Sequence, residues 1–577
     1  MYITLLFSLA IAAAVSMMGG VFAAGYYTDH WAAIATANGE QISKDAVRDR
    51  AALNLARYER QTANFQTMRN QNKITTAEFS TLTSAITTSE SSSTLYSDAL
   101  TQLINEAELR QYAAKNNISV TDQMVDAQVV TDGTVSELRH VKVIGVPTTP
   151  TPPASAPTSS DDAAALAKAQ GYLKEIQDGK AWADVDTEAT NANSNSGGGD
   201  LGLVSRETIA ADPDLADAVF ALQKVGDITT IFKGSDGAYR FATITSIVTK
   251  YVDTDWEASI AAAANGDQLR AYARGAAIQK AIQATIEAKY ITGATTQRKV
   301  QEIAISAGVG QAGDGDEIKM RMMVFAPNHD AANASSVAET DAAWTDAKAR
   351  ADAAVAKLRA DPSQWNAMAV DTNVNDDTLW RPYSGDIQWW LPADVFNATT
   401  AASSQGLDMT SVQAAVFKTG LTVGEFLDPI KESAQGYVVV QFQGRRQAPL
   451  QRIANAQFDI NSGVDFGTTA KTYSEVADAI NGGDLGWVSP YMLTAAQEQV
   501  IYSTPVGRVS NIVSGSGYYI YKITEEQTRV ADATQQAKLK KVVFSAWLTE
   551  FQANALVWKD SAALTALTPG GSTSSAT

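Results

Sequence analysis

The sequence predicts a multidomain α+β protein: three copies of one small module, bracketed by helices and preceded by an apolar segment long enough to cross a membrane. The first observation is an internal repeat, which is settled before any other feature. Gly198-Gly199-Asp200-Leu201-Gly202 recurs as Gly482-Gly483-Asp484-Leu485-Gly486-Trp487, with a blurred copy at Gly385-Asp386-Ile387-Gln388-Trp389. The first copy leads to Val225-Gly226-Asp227-Ile228 and Gly237-Ala238-Tyr239. The second leads to Val423-Gly424-Glu425-Phe426 and Gly436-Tyr437-Val438, the third to Val506-Gly507-Arg508-Val509 and Gly517-Tyr518-Tyr519. The other two observations are Ala-rich stretches of helical period on either side of the repeats and the charge-free run Ile3–Ala24.

In chain order, the apolar run comes first. At about 1.5 Å rise per residue, some 20 apolar residues span a bilayer. Residues 1–27 are therefore expected to be a membrane anchor or a signal sequence. No Lys or Arg precedes Lys44, and Val21-Phe22-Ala23 fits a small-residue cleavage pattern. Tyr26, Tyr27 and Trp31 suit an interfacial aromatic belt. A helical block over 28–135 comes next, with Ser43 as an N-cap and Asp45 in the turn after it. Ser119 or Thr121 caps its last helix.

The first module is expected over 136–250. Gly-Asp-Leu-Gly reads as a tight turn into a strand. Leu215–Leu222 reads as a short helix and the alternating residues from Tyr239 as the last strand. Upstream, Asp161–Asp178 has helical period, and Pro147–Ser160 is a solvated Pro/Thr/Ser spacer. A helical connector is expected over 251–315, a second module over 316–446, and a shortened third over 447–526. The shortening comes from a first strand placed at Ala456-Gln457-Phe458-Asp459, which leaves no room for a long first helix. Residues 527–577 supply a returning helical stretch, Arg529–Leu564, and a flexible tail, Thr568–Thr577.

Composition excludes several classes. A net charge of −18 without a basic cluster argues against nucleic acid. The absence of Cys rules out disulfides, Cys catalysis and Cys metal sites. With three His in the chain, no Ser-His-Asp triad is plausible, and no HExxH, EF-hand or P-loop spacing occurs. Asp314-Gly315-Asp316-Glu317 and Asn375-Asp376-Asp377 read as solvated polar loops rather than metal sites. No cofactor or metal is expected.

Asn38-Gly39-Glu40, the helical block and Asn117-Ile118-Ser119-Val120-Thr121 resemble a SurA N-terminal domain. Arg139-His140-Val141, Gly198–Gly202 and Gly237-Ala238-Tyr239 resemble the landmarks of a parvulin rotamase. The chain is similar to the exported parvulin-type foldases of the SurA, PrsA and PpiD group. That resemblance implies a SurA-like helical chaperone domain over 28–135, completed by a C-terminal helix over 527–566, and three parvulin-like modules. It also implies rotation about X–Pro bonds, whose barrier is about 18–20 kcal/mol.

Carried onto this chain, the family's polar floor falls on His140, Asn191 and Tyr239, and the proline-gripping positions on Ile209, Leu215 and Phe220. The chain departs from the pattern. Tyr239 stands where a second His belongs. In the second module Met322 and Val438 take the two His positions; in the third no His stands on the first strand and Tyr519 takes the second. His140 reads equally as a strand-edge His, and Tyr239 and Tyr519 as strand packing. The resemblance therefore implies a membrane-tethered extracytoplasmic folding factor that binds unfolded or newly exported polypeptides, with weak or lost isomerase activity. Two alternatives stay open: a prolyl isomerase working through the first module, and a scaffold subunit of a membrane protein complex.

Overall fold

The computed structural model describes residues 26–148, 159–192, 199–234, 237–306, 315–387, 390–396, 409–515 and 517–567. The apolar run at 3–24, the body of the Pro-rich spacer and the tail lie outside them. Among the described residues no helix is long and apolar enough to cross a membrane.

After a helical turn at Tyr27–Trp31 comes a hairpin of β1 (Ala33–Ala37) and β2 (Glu40–Ser43). Asn38 and Gly39 turn it, both at positive φ, as an Asn-Gly pair favours. The Ser43 hydroxyl accepts the Ala46 N–H and opens α1 (Lys44–Asn70). Thr75 and Glu78 form a capping box for α2 (Thr76–Ser89). Two more helices come after it, α3 (Ser92–Lys115) and α4 (Asp122–Asp132), the latter capped by Thr121.

Module 1 contains β3 (Leu138–Val146), α5 (Ser159–Gln177), α6 (Trp182–Ala192), β4 (Gly199–Ser205), α7 (Pro213–Ala221), β5 (Phe232–Lys233) and β6 (Tyr239–Val248). Its sheet runs β4-β3-β6-β5. Helices α5 and α6 cover one face around Ile144, Val185 and Phe241. Helix α7 covers the other around Val141, Leu215 and Ile244. Next, α8 (Trp256–Ala263) and α9 (Gly266–Glu287) return to the helical domain, where Leu269 and Ala273 pack on Leu53 and Val125.

Beyond α9 the order of elements departs from the expected one. Residues 251–315 are not wholly a helical connector, because Ala294–Ser306 is a long strand, β7. Its partners come only after another complete unit. Module 2 contains β8 (Glu317–Phe325), α10 (Ala342–Ala360), α11 (Trp365–Val370), α12 (Thr410–Val416), β9 (Ile430–Glu432) and β10 (Gly436–Arg446), with sheet order β8-β10-β9. Then α13 (Pro449–Asn461), α14 (Phe466–Tyr473), β11 (Asp484–Val488), α15 (Ala495–Ser503), β12 (Val513–Ser514) and β13 (Gly517–Val530) close module 3 around β7, in order β11-β7-β13-β12. Module 2 is thus inserted into module 3 between its first strand and first helix. Residues 456–459 are helical, inside α13. Module 3 is not shortened, since it has three helices and a four-stranded sheet.

A buried ion network closes the insertion point. Glu317 and Arg446, from the two ends of module 2, meet Arg452 and Glu475 of module 3. Arg446 lies 2.6 Å from both Glu317 and Glu475, and Arg452 lies 3.2 Å from Glu317 and also pairs with Glu475. Burial pushes the Glu317 carboxyl up against the pull of Arg446.

At the C terminus, β13 runs to Val530, so the last long helix, α16 (Ala533–Ala553), starts later than residue 529. It buries Leu539, Val543 and Trp547 against Leu109 and Ala113 of α3 and Ile282 and Ile286 of α9. The rest of the expected helix is broken: β14 (Val557–Lys559) pairs with β1, and α17 (Ser561–Leu567) lays Leu564 on the hairpin core.

The three sheets share one register. Lys142 pairs with Asp200, Arg321 with Asp386 and Gln301 with Asp484. Each first strand then meets a β-bulge in its last strand: between His140↔Ser246 and Val141↔Ile244, Lys319↔Gly444 and Met320↔Phe442, and Lys299↔Glu525 and Val300↔Ile523. A repeated bulge is a fixed feature of a fold rather than a defect. It makes Lys319 and Lys299, not Met322, the counterparts of His140. By the same ladders Tyr437 and Tyr518, not Val438 and Tyr519, correspond to Tyr239.

Candidate functional site

In modules 1 and 3 the Gly-Asp-Leu strand is a sheet edge, and both edges face the helical domain. In module 3 the contact is tight. Gln535 of α16 donates to the Trp487 carbonyl at 2.7 Å. A hollow of about 250 Å³ lies toward the far end of α16, walled by Tyr491, Trp547 and Phe551. In module 1 the same edge leaves a cleft of about 560 Å³ against α1 and α2. Tyr58, Phe65, Leu82 and Ile86 form the helical wall, and Leu138, Leu201 and Leu203 the sheet wall. Leu201, the leucine of Gly-Asp-Leu-Gly, remains 38% exposed. Arg57, Asn64 and Asp132 supply polar groups. Burial pushes the Asp132 carboxyl up, opposed by its hydrogen bond from Gln128.

Beside this cleft stands His140, with one carboxylate on each ring nitrogen. Nδ1 lies 2.9 Å from Glu78 Oε1 on α2, and Nε2 lies 2.7 Å from Asp200 Oδ1 on β4. Burial works to raise the Glu78 carboxyl, but hydrogen bonds from the Thr75 amide and His140 outweigh it and hold it below its ordinary value. Asp200 behaves alike: burial raises it, and the Gly202 N–H and His140 bring it down. His140 is thus a bridge between two domains.

The expected site residues divide into separate groups. Ile209, Leu215 and Phe220 come together with Val141 and Val219 on the α7 face. Tyr239 packs on the opposite face with the α5 and α6 core, and its hydroxyl donates to Asp162 at 2.7 Å. That bond raises the phenol above its ordinary value. Tyr239 also stands six positions along the β3 ladder from His140, since it pairs with Val146; at about 3.3 Å per residue this is roughly 20 Å. Asn191 lies in the last turn of α6, and its side chain is outside the described residues. The histidine and tyrosine do not form one polar floor, and neither joins the Ile209–Leu215–Phe220 cluster.

Sequence reasoning missed Glu78 and the role of Arg139. Arg139 donates to the Val219 and Leu222 carbonyls at 2.5 and 2.8 Å and so satisfies the C-terminus of α7. In module 3, Arg298 donates to the Ile501 and Thr504 carbonyls at the end of α15. Arg298-Lys299-Val300 repeats Arg139-His140-Val141. This was the signal that could have located the true first strand of module 3.

Comparisons with known proteins agree with this architecture. Residues 1–136 match the SurA-like N-terminal domain, and residues 147–239 and 438–527 each match the PPIC-type PPIASE domain. In these three segments the chain is similar to the parvulin-type foldases. Among curated relatives, Chaperone SurA of Pseudomonas fluorescens is 35% identical over 97 residues, 16% of this chain and 22% of the relative. Chaperone SurA of Pseudomonas aeruginosa is 31% identical over 127 residues, 20% and 30% of the two chains. Foldase protein PrsA of Geobacillus kaustophilus is 39% identical over 72 residues, 12% and 26%. The chain thus matches each of these relatives over less than a third of the relative's length.

Proposed function

We propose that this protein is an extracytoplasmic holding chaperone, tethered by its N-terminal segment, that binds unfolded or newly exported polypeptides in the cleft between its helical domain and module 1. The observation that carries this reading is the cleft itself: about 560 Å³, walled by apolar side chains and rimmed by a few polar ones. Such a hollow accepts apolar side chains of many sequences, and an exposed apolar patch of this kind marks an interaction site. The names of the relatives, Chaperone SurA and Foldase protein PrsA, support a folding role. The run Ile3–Ala24 supports the tether.

Prolyl isomerisation is weak or absent in this reading. His140 spends both ring nitrogens on carboxylates, and Tyr239 stands on the far side of the sheet. The test is suppression of aggregation of an unfolded client by the full chain, without ATP, beside a proline-isomerisation assay. Suppression that falls several-fold in Leu201→Asp supports the cleft. Unchanged suppression in that variant rejects the cleft as the holding site, no suppression at all favours a scaffold role, and robust isomerisation rejects the lost activity.

A further inference from the structure

We propose that His140 is a positioning residue, a protonation-controlled latch that ties α2 of the helical domain to β4 of module 1 and so sets how firmly the two walls of the cleft are held together. A carboxylate only accepts hydrogen bonds. With Glu78 Oε1 and Asp200 Oδ1 facing the two ring nitrogens at 2.9 and 2.7 Å, only the doubly protonated imidazolium satisfies both contacts.

Both partners are fixed without the ring. Glu78 Oε2 accepts the Thr75 N–H at 2.7 Å in the capping box, and Asp200 Oδ1 accepts the Gly202 N–H at 2.9 Å. The two anions therefore stay in place when the proton leaves, and one of them then loses its donor. Lys142, on the ring's own strand, lies 3.6 Å from Asp200, and Asp186 of α6 adds a third carboxylate that feels both Lys142 and Asp200. The residue opposite on β6 is Ser246, which is uncharged. Histidine is the side chain whose ordinary titration falls between about pH 5 and 8. The latch is closed while the ring carries both protons and released when it loses one.

The other modules give an internal contrast. At the same register position they carry Lys319 and Lys299. Lys299 pairs with Glu525 of its own module at 3.1 Å, and Lys319 is buried within module 2. Neither reaches the helical domain through a group that titrates near neutrality. Module 1, which leaves the cleft, is the one with a histidine there.

The consequence for clients rests on the proposed holding role of the cleft, but the latch is tested without a client. The chain has no Cys, so Ser80→Cys on α2 and Lys224→Cys beyond α7 place two spin labels as its only thiol adducts. Pulsed dipolar spectroscopy on the full chain reads the distance between them. We expect a narrow distribution at pH 5.5 that broadens at least twofold at pH 8.5. His140→Gln should be broad at both values, and His140→Lys, copying the other modules, narrow at both. Equal widths at the two pH values in the parent chain, or an unchanged pH response in His140→Gln, overturns the latch. Aggregation suppression measured separately at both pH values keeps the two ideas apart. A responsive latch with no client holding rejects only the client reading, and holding with an unresponsive distance rejects only the latch.

Discussion

Glu302 makes module 3 sensitive to pH. Its side chain sits on β7, an inner strand, and the residue is only 9% exposed. Burial lifts its carboxyl to about 7, the neighbouring Asp478 adds to the lift, and Lys538 opposes it. Both Asp478 oxygens are buried without a hydrogen-bond partner among the described residues. The ordinary value is 4.5. Below it, folded and unfolded chains both bind the proton, and the contribution to stability is fully present. Between 4.5 and about 7 only the folded chain holds the proton, so stability falls as pH rises. The gap between 4.5 and about 7, at roughly 1.4 kcal/mol per pH unit, amounts to about 3 kcal/mol. Glu302→Gln removes the titration. The variant should gain up to about 3 kcal/mol over the parent at pH 8 and lose most of that advantage at pH 4.5. Urea-dependent hydrogen exchange of the β7 and β13 amides, corrected for the intrinsic rate, measures the opening of this module without requiring the whole chain to unfold in one step. A variant that keeps the parent's pH slope, or that is the less stable of the two at pH 8, would refute the reasoning.

Removing Arg446 leaves Glu317 and Glu475 with one cation between them; Arg446→Ala should cost about 3–5 kcal/mol in exchange-detected stability at the module 2–module 3 junction, and a loss under about 1 kcal/mol would show that solvent replaces it. Arg139→Ala and Arg298→Ala each strand two helix-end carbonyls and should cost roughly 1–3 kcal/mol, read as faster exchange in α7 and α15 respectively. A Cβ at Gly483 would collide with the Glu302 carbonyl, while one at Gly202 meets open space, although both glycines have positive φ. Gly483→Ala should therefore lower the thermal midpoint of module 3 clearly more than Gly202→Ala lowers that of module 1, where only the conformational cost of roughly 1–2 kcal/mol applies; equal shifts would contradict this.

The sequence by itself determined what is local. The Asn38-Gly39 turn, the Ser43 and Thr121 caps and the turns at Gly385 and Gly482-Gly483 depend on residues within a few positions of one another, whereas Gly199–Gly202, read as a turn, already lies in β4. The gathering of Ile209, Leu215 and Phe220 in one cluster was legible only through the family resemblance, which placed all three in one pocket. Only the tertiary structure decided which strand completes which sheet. β7 finds β11 and β13 across an intact inserted module, and nothing in a strand's own period of two names its partner. Register was undecided for the same reason. A displacement of one residue exchanges Tyr437 for Val438, and both fit a strand; the bulge that chooses between them is a property of the paired ladder. The role of His140 was hidden further still. Its partner Glu78 is 62 residues away in another domain, and a capping box predicts only one of that carboxylate's two contacts. Local chemistry can be read along a chain, whereas an ion bridge between domains exists only once hydrophobic burial has brought their surfaces together.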